Sequence, residues 1–391
     1  MSDAQEGNEQ ARQRAQHDDT SEHPFAAPAA ATSSGGEGRP ARRLSRRGWT
    51  LVCSALLVAV FGAVGATVSV PYVALGPGPI YDTLGEIDDE PVISVRDDDG
   101  EIVEDLVYDT TGSASLTTVS VADDVTMFNA LARWVSGQFA LAPREQYFRP
   151  GLTEEEIQEE NIAQFEHSQD SAEVAALRLL GYPTGVYVQE VLPDEPAEDI
   201  VPPGAELLAV DGTELDSIHE VHDVLADRGP GEVVELDYRD EDGQEHSDTL
   251  ELGAREDREQ GFMGVTLTER AEVDFTIDIE LADVGGPSAG IMFAVAIVDR
   301  MTEEDLLDGE HVAGSGEIAV TGEVGPIGGI GFKVDAARDA GVDAFLVPEQ
   351  NCPEAVAADA GDMTLISVGT LEETIDALEA YTAGGDVPTC E

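Results

Sequence analysis

Two stretches in the last third of the chain decide its reading: Gly285-Gly286-Pro287-Ser288-Ala289-Gly290, and Gly325-Pro326-Ile327-Gly328-Gly329-Ile330-Gly331-Phe332-Lys333. Before the first, Val273 to Leu281 alternates strictly between apolar and polar residues, which predicts a strand with one buried face. After it, the nearly unbroken apolar run Ser288 to Met301 is long enough for a buried helix. Pro287 is expected just inside that helix, the favoured place for proline. Ser288 then sits at a helix N-terminus, where free backbone N–H groups and the dipole can stabilise an oxyanion.

The second stretch ends in the chain's single lysine; the rest of its 20 basic residues are arginine. Arginine cannot release a proton near neutral pH. A lysine in an apolar setting can, because desolvation pulls its pKa down from about 10.4. Lys333 has Ile327, Ile330, Phe332 and Val334 around it in sequence. A neutral amine there could take the Ser288 proton during attack on a carbonyl and return it to the leaving amine. Compositional drift is the competing account of a lone lysine.

Gly286-Pro287-Ser288-Ala289-Gly290 also fits G-x-S-x-G, the nucleophile elbow of α/β-hydrolases, which makes an esterase the alternative enzyme. That mechanism needs a downstream histidine and acid in order. Only His311 follows, with no intervening strand and helix. Nor is Gly325 to Lys333 a phosphate loop, since Phe332 precedes the lysine and Val334 follows it where G-K-[ST] is required.

The 391 residues suffice for two or three domains. A net charge of -61, with 81 acidic residues, disfavours nucleic-acid binding and suits a surface adapted to concentrated salt. Residues 1–48 are polar and aperiodic and read as a disordered cytoplasmic tail. Arg39, Arg42, Arg43, Arg46 and Arg47 then precede an uncharged run at 49–70, about the length of a bilayer span. The charge asymmetry predicts a single-pass cell-membrane protein with its N-terminus in the cytoplasm and the remainder outside; a cleaved signal peptide, with the small residues of Ala63 to Ala66, is the other reading. Cys53 lies in the span, while Cys352 and Cys390 fall outside it and could form a disulfide. No metal or cofactor is expected: neither cysteine has a metal-site spacing, and no H-E-x-x-H occurs.

Residues 71–180 read as a membrane-proximal α/β segment without an assigned role. Pro71 to Gly85 suits an extended exit from the bilayer. Val92 to Val95 and Glu101 to Val107 flank the turn Asp97-Asp98-Asp99-Gly100 as a hairpin, and Leu116 to Val121 is a further strand. Thr126 to Ser136 and Thr153 to Leu180 are helices, the latter with Thr153 and Glu156 as a capping box. At 181–255 the pattern turns to short strands (Val186 to Val191, Ala205 to Val210, Val233 to Tyr238, Ser247 to Leu252) and one helix, Ser217 to Leu225. His219 and His222 on that helix read as an exposed polar face rather than as ligands.

The stretch Pro203-Gly204-Ala205-Glu206-Leu207-Leu208-Ala209-Val210-Asp211-Gly212 resembles the P-G-D-x-I-x-x-V-(D/N)-G stretch of bacterial PDZ domains, with Ala205 in place of the usual aspartate. The resemblance implies a peptide taken as an added strand on a sheet edge. The serine turn, Ser315-Gly316-Glu317-Ile318, and Gly322-Glu323-Val324 with Pro326-Ile327-Gly328-Gly329 and Lys333, resemble the Lon proteolytic domain. The order of span, PDZ domain and this domain, expected at 262–385, is similar to membrane-anchored, PDZ-containing Lon-like proteases of bacteria.

That resemblance implies Ser288 as nucleophile and Lys333 as general base, supported by Gly286, Pro287, Ala289 and Gly290. Ser315 stands where these enzymes usually carry a threonine bonded to the lysine. Gly331 and Phe332 replace charged residues of ATP-dependent members, and the chain has no ATPase module, which implies ATP-independent peptide-bond hydrolysis. Ring-like homo-oligomers are implied in the same way. The contrasting reading is a catalytically inert, membrane-bound PDZ scaffold. Val342 to Pro348 is expected as a strand, Asn351 to Pro353 as a turn, and Leu371 to Tyr381 as a closing helix.

Overall fold

The computed structural model describes residues 45–87, 90–97, 99–255, 259–281 and 284–391. The expected tail lies outside these up to residue 44, as do Arg39, Arg42 and Arg43. The described residues divide into two units, with the boundary between Ala59 and Val60. Helix α1, Arg46–Thr67, is long and apolar enough to cross a membrane. It stops three residues short of the expected end, because Val70 N–H already donates to Val125 O.

In chain order there follow β1 (Tyr72–Asp82), β2 (Ile93–Arg96), β3 (Ser113–Ala122), α2 (Met127–Ser136), β4 (Ala140–Pro143) and α3 (Glu154–Leu179). Next come β5 (Thr184–Val191), β6 (Glu206–Val210), α4 (Ile218–Leu225), β7 (Val233–Arg239), β8 (Glu245–Glu251) and β9 (Val265–Ala271). The last third holds β10 (Thr276–Ile279), α5 (Gly290–Met301), β11 (His311–Gly314), β12 (Glu317–Ile318), β13 (Val324–Gly325), α6 (Ile330–Ala340), β14 (Ala344–Pro348), β15 (Thr364–Val368) and α7 (Leu371–Thr382).

The fold is mixed α/β, built on two main sheets. The larger has the order β15-β14-β11-β3-β1-β4. β3, β11, β14 and β15 run parallel, whereas β1 is antiparallel to both its neighbours. Alternating residues of β11 and β14 enter different cores. Val312, Ala344 and Leu346 join the cluster around α5, and Ala313, Phe345 and Val347 join the one around α6. Helices thus cover both faces, as parallel strands require. Helix α5 is buried from Gly290 through Asp299, as the uncharged run Gly290 to Val298 dictates. It packs on α3, where Phe165 and Phe293 meet edge-to-face at 5.6 Å.

The sheet cuts across the expected boundaries. β1, β3 and β4 come from the supposedly separate segment 71–180, yet they complete the sheet of the C-terminal third. Pro71 to Gly85 is accordingly a sheet strand rather than a free exit. The smaller, antiparallel sheet, β8-β7-β6-β5-β9, is inserted between the two halves. It extends to Ala271, past the expected end at 255, since β9 pairs with β5 along its length.

Several elements also differ locally. The second arm of the expected hairpin keeps only an Arg96–Ile102 bridge, and Glu104–Leu106 is a 3-10 turn. β2 pairs instead with β10, which is shorter than the alternation predicted. Asn351 ends a 3-10 turn, and Cys352–Ala355 is a short helix. The capping box of Thr153 and Glu156 is present.

Candidate active site

Ser288 lies in the turn just before α5, not in its first helical residues, and Pro287 is likewise outside the helix. The chain reverses there through Gly286 at φ +86°, a conformation that suits glycine. Helix α3 holds the turn from behind. Gly286 N–H donates to the Asn161 carbonyl at 3.0 Å, and Ser168 Oγ donates to the Pro287 carbonyl at 3.0 Å. Gly290 is needed for close approach: a Cβ there would fall 2.7 Å from Ile318 Cγ2 and 2.9 Å from Ser168 Oγ.

Ser315, fully buried, follows the C-terminal end of β11. Its hydroxyl donates to the Ser288 carbonyl at 2.7 Å, which also accepts from Gly316 N–H at 2.9 Å. Lys333 rises from the first turn of α6 on the opposite face of the sheet and reaches past the end of β11. Its Nζ lies 2.7 Å from Ser288 Oγ and 2.6 Å from Ser315 Oγ. The preceding loop is pinned by Asn351, whose Oδ1 accepts from Ile327 N–H at 2.8 Å while its Nδ2 donates to Ile327 O at 2.9 Å. Beside it, the Cys352–Cys390 disulfide ties down the C-terminus.

Only 2% of Lys333 is exposed, so water hardly solvates an ammonium there. Burial pulls its pKa down to about 8. No ion pair between Lys333 and a described carboxylate opposes that shift. A near-neutral amine touching a hydroxyl can activate it for acyl transfer. The two side chains open on a cleft of about 490 Å³, walled by Pro79, Tyr81, Thr118, Val119, Tyr147 and Glu317 among others.

The structure therefore brings Ser288, Lys333 and Ser315 together, with Gly286, Pro287, Ala289 and Gly290 forming the turn. His311 is elsewhere, its Nε2 3.3 Å from Ser115 Oγ, so it gives the esterase triad no base. Asn161, Ser168 and Asn351 escaped the sequence reading. Only polar residues within otherwise helical or loop patterns marked them.

A second cavity, about 640 Å³, lies between α4 and the free edge of β9. Ile218, Val221, Leu225, Phe262, Val265 and Leu267 supply its apolar lining. His222 touches it too, while His219 points to solvent beside Asp223. Half of this groove comes from residues beyond 255.

Residues 276–379 match the family described as the Lon protease (S16) C-terminal proteolytic domain. The chain is 46% identical over 69 residues to the Lon protease of Roseiflexus castenholzii, covering 18% of this chain and 8% of that protein. To the Lon protease of Campylobacter concisus it is 38% identical over 97 residues, covering 23% of this chain and 11% of the relative. The similarity thus spans about a tenth of these relatives' own length. Among solved structures, the PDZ domain of the SdrC-like protein from Listeria monocytogenes is 28% identical, with 22% of this chain and 87% of that one covered and a TM-score of 0.20.

Proposed function

We propose that the protein is a membrane-tethered, ATP-independent serine endopeptidase with Ser288 as nucleophile and Lys333 as general base. The observation that carries this reading is the 2.7 Å contact between Lys333 Nζ and Ser288 Oγ, inside a site where the lysine has no described carboxylate partner. The neutral amine removes the hydroxyl proton as Oγ attacks the peptide carbonyl. The resulting oxyanion is favoured by the N-terminal end of α5. The ammonium then protonates the departing amine, leaving an ester on Ser288. Water, deprotonated by the same amine, cleaves that ester and restores the hydroxyl.

Ser315 holds the lysine in place. The groove beside β9 takes an extended peptide as an added strand and delivers protein substrates. The arginines before α1 and the Cys352–Cys390 disulfide support an extracytoplasmic position for both domains.

The test is cleavage of casein or a flexible peptide by the full chain in detergent, beside Ser288→Ala and Lys333→Arg. Both variants are expected to be inactive. Unchanged cleavage in either overturns the assignment, and peptide binding without cleavage by the parent chain would favour the inert scaffold.

A further inference from the structure

Helix α2 turns an apolar stripe outward. Met127, Phe128, Leu131, Trp134 and Val135 share one helical face, and each keeps between 46% and 72% of its surface exposed. The opposite face is already used, with Ala130 packed beside Ala74 and Val125. A stripe of five large apolar residues on a helix of this length calls for a cover.

Three observations bear on what covers it. Gly65, in the last turn of α1, is buried, and a Cβ there would lie 2.8 Å from the Phe128 ring and 2.9 Å from Met127 Cε. Next, Ser69 bridges to Thr126, the N-cap of α2, and Val70 N–H donates to Val125 O at 2.9 Å. Both contacts fix the start of α2 at the level where α1 ends. Finally, residues 125–144 contain no aspartate or glutamate and carry Arg133 and Arg144, the latter paired with Asp123 at 2.7 Å, in a chain of net charge -61. No acid-free run after Asp82 is longer. Elsewhere the surface would be repelled by anionic headgroups, whereas this patch would not.

We propose that α2 is an interfacial helix, lying in the headgroup and upper acyl region of the outer leaflet with Leu131, Trp134 and Val135 immersed. The contact is additional to the span and rests on the reading of α1 as a membrane anchor. It holds the large sheet, through β1 and β4, at a fixed height above the bilayer. Trp134 suits that depth, where aromatic rings with a polar edge accumulate.

The test uses the full chain in phosphatidylcholine–phosphatidylglycerol vesicles and its two tryptophans, Trp49 and Trp134. Trp49→Phe leaves Trp134 as sole reporter, and Trp134→Phe leaves Trp49. With lipids brominated high in the acyl chain, Trp134 emission is expected to fall by roughly half, and by less with bromines near the bilayer centre. Leu131→Glu in the Trp49→Phe background is expected to remove most of that quenching. If Trp49 is quenched and Trp134 is not, the anchor stands and the interfacial helix is overturned, including the case where a second copy covers the stripe. If neither is quenched, the anchor reading fails and takes this one with it.

Discussion

Lys333 Nζ sits as close to Ser315 Oγ, at 2.6 Å, as to Ser288 Oγ, at 2.7 Å. The Ser315 hydroxyl has one proton, which goes to the Ser288 carbonyl at 2.7 Å. Toward the amine it can therefore only accept. One N–H of the neutral amine is fixed by that bond, and its lone pair is left to turn toward Ser288. In the proposed mechanism this makes Ser315 a positioning residue for the proton transfer.

Ser315→Ala should lower kcat by roughly 10- to 100-fold, within the range for a misaligned general base. It should also move the ascending limb of the pH profile downward, because the lost acceptor favoured the ammonium. Ser315→Thr keeps the hydroxyl and should restore most of the rate. Equal losses in both variants, or an unmoved limb in Ser315→Ala, would reduce Ser315 to packing.

The pH profile of kcat/KM should rise with a midpoint near 8, since Lys333 is pulled to about 8 and acts only when neutral. The same burial makes the lysine a stability cost. Its folded pKa lies below the unfolded value, so the unfolded chain binds more protons between the two, and stability rises from about pH 8 to about pH 10.5. Lys333→Met should be inactive yet more stable at pH 7, by an amount on the order of 2–3 kcal/mol. That advantage should shrink as pH approaches 10. Thermal melts across this range check the sign.

The meeting of Ser288 and Lys333 was legible in the sequence because its signals are local. A serine turn between an alternating strand and an apolar helix, and a lone lysine among apolar residues, each carry their own signal. The sheet was not legible in the same way. β1 and β3 read as an exit from the membrane and a stray strand, since nothing in their own residues says that β11 lies beside β3 nearly two hundred positions later. β9 was missed for a related reason: Val265 to Ala271 carries Thr, Glu and Arg on an edge strand, and its apolar residues serve the groove as much as the core.

The serine turn should be sensitive to two glycines for different reasons. Gly286→Ala meets open space but forces a side chain to φ +86°, costing about 1–2 kcal/mol. Gly290→Ala has no such backbone demand, yet its methyl would displace Ile318 and Ser168, and Ser168 holds the turn through the Pro287 carbonyl. Gly290→Ala should therefore lose far more activity than Gly286→Ala at matched stability, measured as kcat beside denaturant midpoints.

The surface charge should make stability depend on salt. With 81 acidic against 20 basic side chains, self-repulsion in dilute buffer is screened as the Debye length falls from about 10 Å at 0.1 M to about 3 Å at 1 M. The melting temperature should climb by about 5–10 °C or more over that range. A flat response would rule out adaptation to brine.

The smaller sheet is tied to the rest through Arg178, in the last turn of α3. Its guanidinium lies 2.6 Å from Glu269 Oε2 on β9 and also donates to the Val320 carbonyl near β12. Glu269 Oε1 accepts from Ile218 N–H at the start of α4, at 2.7 Å, so one carboxylate holds both walls of the groove between α4 and β9. Its side chain is 2% exposed, which makes removal of either charge expensive. Glu269→Gln should destabilise the protein by about 2–4 kcal/mol, since it leaves the guanidinium uncompensated. Replacing both partners, as Arg178→Met with Glu269→Gln, should recover much of that loss. Peptide affinity of the groove should fall in the single variant even under conditions where it stays folded, because α4 and β9 lose their common anchor. Unchanged affinity would mean that the groove is held by its apolar lining alone.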